Sequence, residues 1–322
     1  MREGAVPEIA VILAIRDRGQ LLPRVLAGLW RQSLAFERFE VIVVDDGSTD
    51  DTIAVLEALS EGLPLRLLRQ KASGKAAARN LGTLAARAPL LVFIGDDDAP
   101  DPWLLETHLA AHWREPDPAM AVLGYTSLDP TIAAQPLMRH VTEVGCQLFA
   151  YGQFRPGQVL DYTAFRGEHI SCKRFLLLEH GLFDPNFTSG CEDIELGWRL
   201  RSRGLRVIYE PSARSVMLRA MTFDEFCDRS MQQGRSQWHF HAKHAARQVR
   251  SYCEIDACLS AWEREGPRFE DIIARARDLD ETDSNASRDV PLDHSFQAIL
   301  DTAYREAFFL CRARGLTEAS RC

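Results

Sequence analysis

Phe39-Glu40-Val41-Ile42-Val43-Val44-Asp45-Asp46-Gly47-Ser48 is an apolar run that stops at two carboxylates, a glycine and a serine. A continuous apolar stretch bounded by turn residues reads as a strand buried on both faces. The pattern recurs on either side. Upstream, Ile9 to Ile15 is a second such run, ending in Arg16-Asp17, and between the two runs Leu22, Val25, Leu26, Leu29 and Trp30 fall at helical spacing. Downstream, Thr52 to Leu59 reads as a helix with Asp50 or Asp51 as its cap. Leu65 to Leu68 reads as a short strand, Lys75 to Arg87 as an alanine-rich helix, and Leu90 to Ile94 as a fourth strand running into Asp96-Asp97-Asp98. Strands alternating with helices predict an α/β fold, a doubly wound and mainly parallel sheet with helices on both faces. Ligands of such sheets bind beyond the carboxyl ends of the strands, where acidic groups from three strands converge here.

The remainder is less regular. Residues 118–162, with prolines and glycines, read as a long excursion over the crevice. Regular structure resumes over 170–182, a helix over 193–204 closes at Gly204, and 205–209 reads as a short strand. From Thr222 onward the chain reads as mostly helical, with an acidic loop or linker at 277–289 and a last helix at 291–314. That helix carries Phe296, Ile299, Leu300, Ala303, Ala307, Phe308 and Cys311 on one face, for its own core or for a second copy. The expected division is an α/β domain at 1–222 and a helical C-terminal region at 223–322.

Composition sets outer limits. The chain has 322 residues, 46% hydrophobic and 26% charged, with a net charge of −8. That balance suits a globular protein and lacks the basic footprint of a nucleic-acid binder. The eight cysteines form no CxxC pair and read as free thiols in a reducing compartment. No signal peptide and no apolar run of eighteen residues is present, so the expectation is a cytoplasmic protein without a membrane span. Basic residues between Arg235 and Arg250 leave room for peripheral contact with the inner face of a membrane.

Each polar segment admits two readings. Asp96-Asp97-Asp98 is costly unless a cation neutralises it, and Mg2+ or Mn2+ bridging a diphosphate would do so; it is equally good turn chemistry. Asp45-Asp46-Gly47-Ser48 is ordinary at a turn. Lys75 and Arg79 lie one helical turn apart, facing a phosphate or solvent. Glu192-Asp193 begins a helix, as a cap or as a general base.

Taken together these segments resemble the inverting family 2 glycosyltransferases of the GT-A fold, from about Ile9 to His244. The resemblance rests on Val43 to Thr52, Ala78-Arg79-Asn80-Leu81-Gly82, Phe93 to Pro100, Gly181 to Pro185, and Glu192-Asp193-Ile194-Glu195-Leu196-Gly197-Trp198-Arg199-Leu200. It implies that a nucleoside-diphosphate sugar is the donor and a glycan, a lipid-linked sugar or a small molecule the acceptor. Asp46 would recognise the donor base beside Ala14 and Asp17, with Lys75 and Arg79 lining the nucleotide pocket. Asp96 would contact the ribose, and Asp97 and Asp98 the metal. Asp193, helped by Glu192, would be the catalytic base, with His169, Arg199 and Arg235 near the acceptor or diphosphate. The chain departs from the family pattern at Gly95, where an acid is usual, and at Met217, where a histidine is frequent. It also departs at Glu168-His169, in place of a Gly-Asn pair. A scaffold with a decayed site, or a nucleotidyltransferase, is the alternative; the latter usually carries a Gly-rich phosphate loop after strand 1, where Gly19 is the single glycine.

Overall fold

The computed structural model describes residues 6–188, 190–285 and 294–321. In chain order its elements are β1 (Ile9–Ile15), α1 (Leu22–Trp30), β2 (Phe39–Asp45), α2 (Thr52–Leu59), β3 (Leu65–Arg69), α3 (Lys75–Ala85), β4 (Leu90–Ile94) and β5 (Asp98–Pro100). Next come α4 (Leu104–Arg114), β6 (Met120–Leu128), α5 (Pro130–Ala133), α6 (Pro136–Arg139), β7 (Val159–Leu160), β8 (His169–Lys173), α7 (Arg174–His180), α8 (Glu192–Leu200) and β9 (Arg206–Met217). The last are α9 (Phe223–His244), α10 (Arg247–Tyr252), α11 (Ile255–Glu265), α12 (Phe269–Asn285) and α13 (His294–Ser320). They fall into two compact units. One holds the chain to Asp129, residues 154–188 and Glu192–Arg219; the other holds Pro130–Gln153, the residues just before α8, and the chain from Ala220.

The first unit is built on a nine-stranded sheet in the order β3-β2-β1-β4-β8-β6-β9-β5, with β7 also paired to β9. Strands β1 to β4 are mutually parallel, as their continuous apolar runs require, and every residue of β1, β2 and β4 is buried. Ile15 pairs with Asp45, so both strands end level, at the edge where the polar segments begin. Beyond β4 the sheet is mixed: β8 runs antiparallel to β4 and β6, and β5 antiparallel to β9. The excursion expected at 118–162 contains β6, a nine-residue strand inside the sheet. The strand expected at 205–209 extends to Met217, because β9 pairs with β6 on one side and with β5 and β7 on the other.

The second unit is helical. Thr222 and Glu225 form a reciprocal capping box that starts α9. Helices α9 and α13 touch backbone to backbone: a Cβ at Gly234 would lie 2.0 Å from the Arg312 carbonyl oxygen, and one at Gly315 the same distance from that of Met231. Around this contact Phe226 and Phe308 pack at 4.5 Å, with Leu300, Ala307 and Cys311 buried, so these residues of the last helix serve its own core, while Ile299 on the same face is exposed. The expected linker at 277–289 is instead helical as far as Asn285; residues 286–289 lie outside the described residues. Its polar side chains are used: Arg277 pairs with Asp224 at 2.7 Å and the Tyr304 hydroxyl donates to Asp280. Among the described residues no helix is long and apolar enough to cross a membrane.

Candidate functional site

The carboxyl ends of β1, β2 and β4 meet α3, α8 and the residues before β8, all within the first unit. The loop after β2 is organised by its own acids. Asp46 is buried and accepts hydrogen bonds from Gln70 Nε2 at 2.7 Å, Ser73 N at 2.7 Å and Gly74 N at 2.9 Å. Gly74, at φ 92°, takes a conformation that favours glycine and starts α3, so Asp46 sets where Lys75 begins that helix. Asp17 is exposed, with φ 52°, and its Oδ1 accepts from Thr49 N at 2.7 Å, tying the end of β1 to the end of β2. Ala14 is buried in β1 opposite Val44.

Three ion pairs then cross the site. Arg18 Nε lies 2.8 Å from Asp96 Oδ2, Lys75 Nζ 3.0 Å from Glu168 Oε1, and Arg79 Nη1 donates to Glu192 Oε1 at 2.8 Å. The last pair is buried, 3% and 8% exposed at its side chains, so each partner there needs the other. Arg79 also lies 5.5 Å from the Phe183 ring. The Glu168 carboxylate holds the Lys75 ammonium well above its ordinary range.

Four carboxylates of the cluster have no cation in ion-pair range among the described residues: Asp46 and Asp98, which are buried and hydrogen-bonded, and Asp97 and Asp193, which are half-buried. Asp97 is half-buried, and burial first, then Asp96 and Glu168, push its carboxyl up to about 6. Asp193 is half-buried at the start of α8, where Gly167 N–H donates to its Oδ2 at 2.9 Å and Ile194 N–H to its Oδ1 at 2.7 Å. Burial and the neighbouring Glu192 charge push its carboxyl up to about 6, against Arg79 and the Gly167 bond. A helix N-terminus and two N–H donors favour the anion, so burial outweighs them here.

Asp98 differs from its neighbours. It is 4% exposed, and its Oδ2 accepts from Thr126 and Ser215 hydroxyls at 3.4 Å inside the sheet. Burial and the adjacent acids hold its carboxyl well above the usual range. Met217, where the histidine is frequent, pairs with Asp98 across β5 and β9 and is 7% exposed.

Several residues expected at the site are held by other partners. His169 is 2% exposed, with Nδ1 at 3.1 Å from Thr126 Oγ1 and 3.2 Å from Ser215 Oγ, and burial pushes it down to about 3. It is a neutral interior group, continuing toward His108 and His112, which Ser171 bridges at 2.8 and 2.9 Å. Arg199 is spent on Glu195 at 3.0 Å and on the carbonyls of His180 and Leu182. Arg235 belongs to the second unit, on α9, paired with Glu318 at 2.7 Å. Conversely, Arg18 was not expected at the site, because a lone arginine carries no motif, and Glu168 stood out only as part of the Glu168-His169 departure from the family pattern.

Residues 10–172 match the model of the glycosyl transferase family 2. A validoxylamine A glucosyltransferase of Streptomyces hygroscopicus subsp. jinggangensis is 34% identical over 227 residues, which cover 62% of this chain and 53% of that protein. A pre-mycofactocin glycosyltransferase of Mycobacterium tuberculosis is 29% identical over 217 residues, 64% of this chain and 42% of that one. The chain thus spans about half the length of the first of these relatives. A mannosyltransferase from Pyrobaculum calidifontis, solved with GDP-Man and Mn2+, superposes with a TM-score of 0.60 at 20% identity, covering 97% of this chain and 88% of that one. Residues 1–349 of S. aureus TarS with UDP give 0.52 at 16% identity, over 98% and 91%. These structural likenesses bear on the fold, which is of the GT-A type. With half of its length matched by the family model, the chain belongs to glycosyl transferase family 2.

Proposed function

We propose that the chain is an inverting glycosyltransferase. A sugar passes from a nucleoside-diphosphate sugar to an acceptor hydroxyl, and Asp193 is the base. The observation that carries this is the division of the acids. Arg18, Lys75 and Arg79 pair with Asp96, Glu168 and Glu192, while the half-buried Asp97 and Asp193 have no ion pair of their own and are both raised to about 6. A strongly perturbed carboxyl in a cleft is what a general base near neutral pH needs.

The division also supports a divalent cation at Asp97. A crowded, half-exposed carboxylate is a hard oxygen ligand short of positive charge. Among the described residues no group of three or more His, Cys, Asp or Glu could hold a metal by itself. That donor set fits Mg2+ or Mn2+, which are commonly held by one or two carboxylates with substrate phosphates. Asp98 is turned toward Thr126 and Ser215 inside the sheet, so Asp97 rather than Asp98 is the carboxylate offered to the ion. When bound, the ion would offset charge on the departing diphosphate.

The chain's own residues do the rest. Gly167 and Ile194 N–H groups hold the Asp193 carboxylate in place. Asp193 takes the proton from the acceptor hydroxyl. The oxygen forms its bond to the anomeric carbon as the bond from that carbon to the diphosphate oxygen breaks, and the nucleoside diphosphate leaves with the electron pair. Attack from the far side inverts the centre. Lys75, beside Asp96 and Glu168, stands ready to meet the diphosphate.

The test is stereochemical. Turnover of an α-linked nucleotide sugar, followed by NMR of the anomeric proton before equilibration, should give a β-linked product. An α-linked product would sink the single-displacement mechanism.

A further inference from the structure

Arg18 belongs to the loop after β1 and is tied down at both ends. Its N–H donates to Thr52 Oγ1 at 2.7 Å, and its Nη1 donates to the Asp17 carbonyl at 3.0 Å. Its Nε lies 2.8 Å from Asp96 Oδ2. That Nε is buried, yet it is not aligned for a hydrogen bond to the carboxylate or to any other described group. The pair is therefore held by charge, without the directed bond that makes an arginine–carboxylate contact strong. The Arg18 side chain is 25% exposed against 8% for Asp96, so water reaches the arginine more readily than the acid.

The effect extends to the next residue. Burial first, then the charges of Asp96 and Glu168, raise the Asp97 carboxyl, while Lys75 and Arg18 pull it back. Arg18 thus already supplies, at Asp97, part of the positive charge that a divalent cation would bring. An ion approaching Asp97 by itself meets like charge, and a guanidinium covers one oxygen of the adjacent Asp96. We propose that Arg18 guards the cation position: seated on Asp96, it keeps a divalent ion from settling beside Asp97 alone. A diphosphate brings negative charge that offsets Arg18, so ion and nucleotide enter together. Arg18 acts through Asp96 and Asp97 and is a positioning residue.

This rests on the metal site of the proposed transferase, and the test lets the two fail separately. Mn2+ binding to the nucleotide-free protein is followed by loss of the free-ion EPR signal at about pH 7.5, where a carboxyl of about 6 is ionised. Arg18→Gln keeps the N–H bond to Thr52 and so the loop. It should bind Mn2+ about 10-fold tighter than wild type, as expected from removing one nearby charge of the same sign. Arg18→Lys, which keeps the charge, should stay within about threefold of wild type, a result that loss of packing alone would not produce. Asp97→Asn should abolish binding with either residue at position 18. With saturating UDP or GDP, the Mn2+ concentration giving half of the rise in Tm should differ less than about threefold between wild type and Arg18→Gln. Equal Mn2+ affinity in wild type and Arg18→Gln overturns the guard, and a tenfold gap that persists with nucleotide bound overturns the joint entry. Absence of Mn2+ binding in every variant, with and without nucleotide, or binding that survives Asp97→Asn, overturns the metal site beneath the proposal.

Discussion

The site is decided by which charges are paired. Arg79 and Glu192 lie 113 residues apart in the chain and meet inside the fold, both nearly inaccessible. Such a pair is worth little over an apolar replacement, but half of it is expensive. Arg79→Met should therefore cost about 3–5 kcal/mol in urea unfolding, because it leaves the Glu192 carboxylate buried without a cation. Adding Glu192→Gln should recover more than half of that loss. A single variant losing under about 1 kcal/mol would show that the pair is not buried as described. None of this was readable beforehand. The sequence marks Lys75, Arg79, Asp96, Glu192 and Asp193 as polar groups at strand and helix ends, but pairing across 93 or 113 residues needs the fold. The same limit hid Arg18 and the pairing of Glu168 with Lys75, and made His169 and Arg199 look available when interior partners hold them.

At the scale of elements, β1, β2 and β4 were legible as unbroken apolar runs, β3 as the short stretch Leu65 to Leu68, and β9 only in its first residues. Strand β6 escaped because Gly124 interrupts it and the pairing shifts register there. That glycine is where the His169 ring sits, 2.2 Å from the position a Cβ would take, so the break that hid the strand also makes room for a buried side chain. The tail of α12 escaped because its residues are polar, and it is helical because partners on α9 and α13 use them. Strand β5 carries the sharpest energetic consequence. Burial holds the Asp98 carboxyl above its unfolded value, so the folded chain keeps that proton to higher pH. The stability it contributes is complete below about pH 4 and is lost as pH rises through the folded value. At pH 8, without divalent cations, Asp98→Asn should then raise Tm by about 2–4 °C, the gain shrinking toward pH 5. A lower Tm at pH 8 would mean that the Thr126 and Ser215 contacts outweigh the buried charge.

At the scale of the whole molecule, the sheet serves the first unit alone, and the second unit has its own core between α9 and α13. Within the first unit the four parallel strands deliver their carboxyl ends to one edge, while β8 and α8 return Glu168 and Asp193 to it from far along the chain. The general position of the site was therefore legible from the alternation of strands and helices, whereas its electrostatic division was not. That division is the central claim: Asp193 is a raised carboxyl left free to accept a proton. The most direct test is the pH dependence of kcat/KM for wild type and for Asp193→Asn, with nucleotide binding to both followed by thermal shift. The account predicts a wild-type rate that falls tenfold per unit below about pH 6. The variant should be at least about a hundredfold slower, lack that acid limb and keep its nucleotide-induced rise in Tm. A variant that turns over at the wild-type rate with the same acid limb would contradict it.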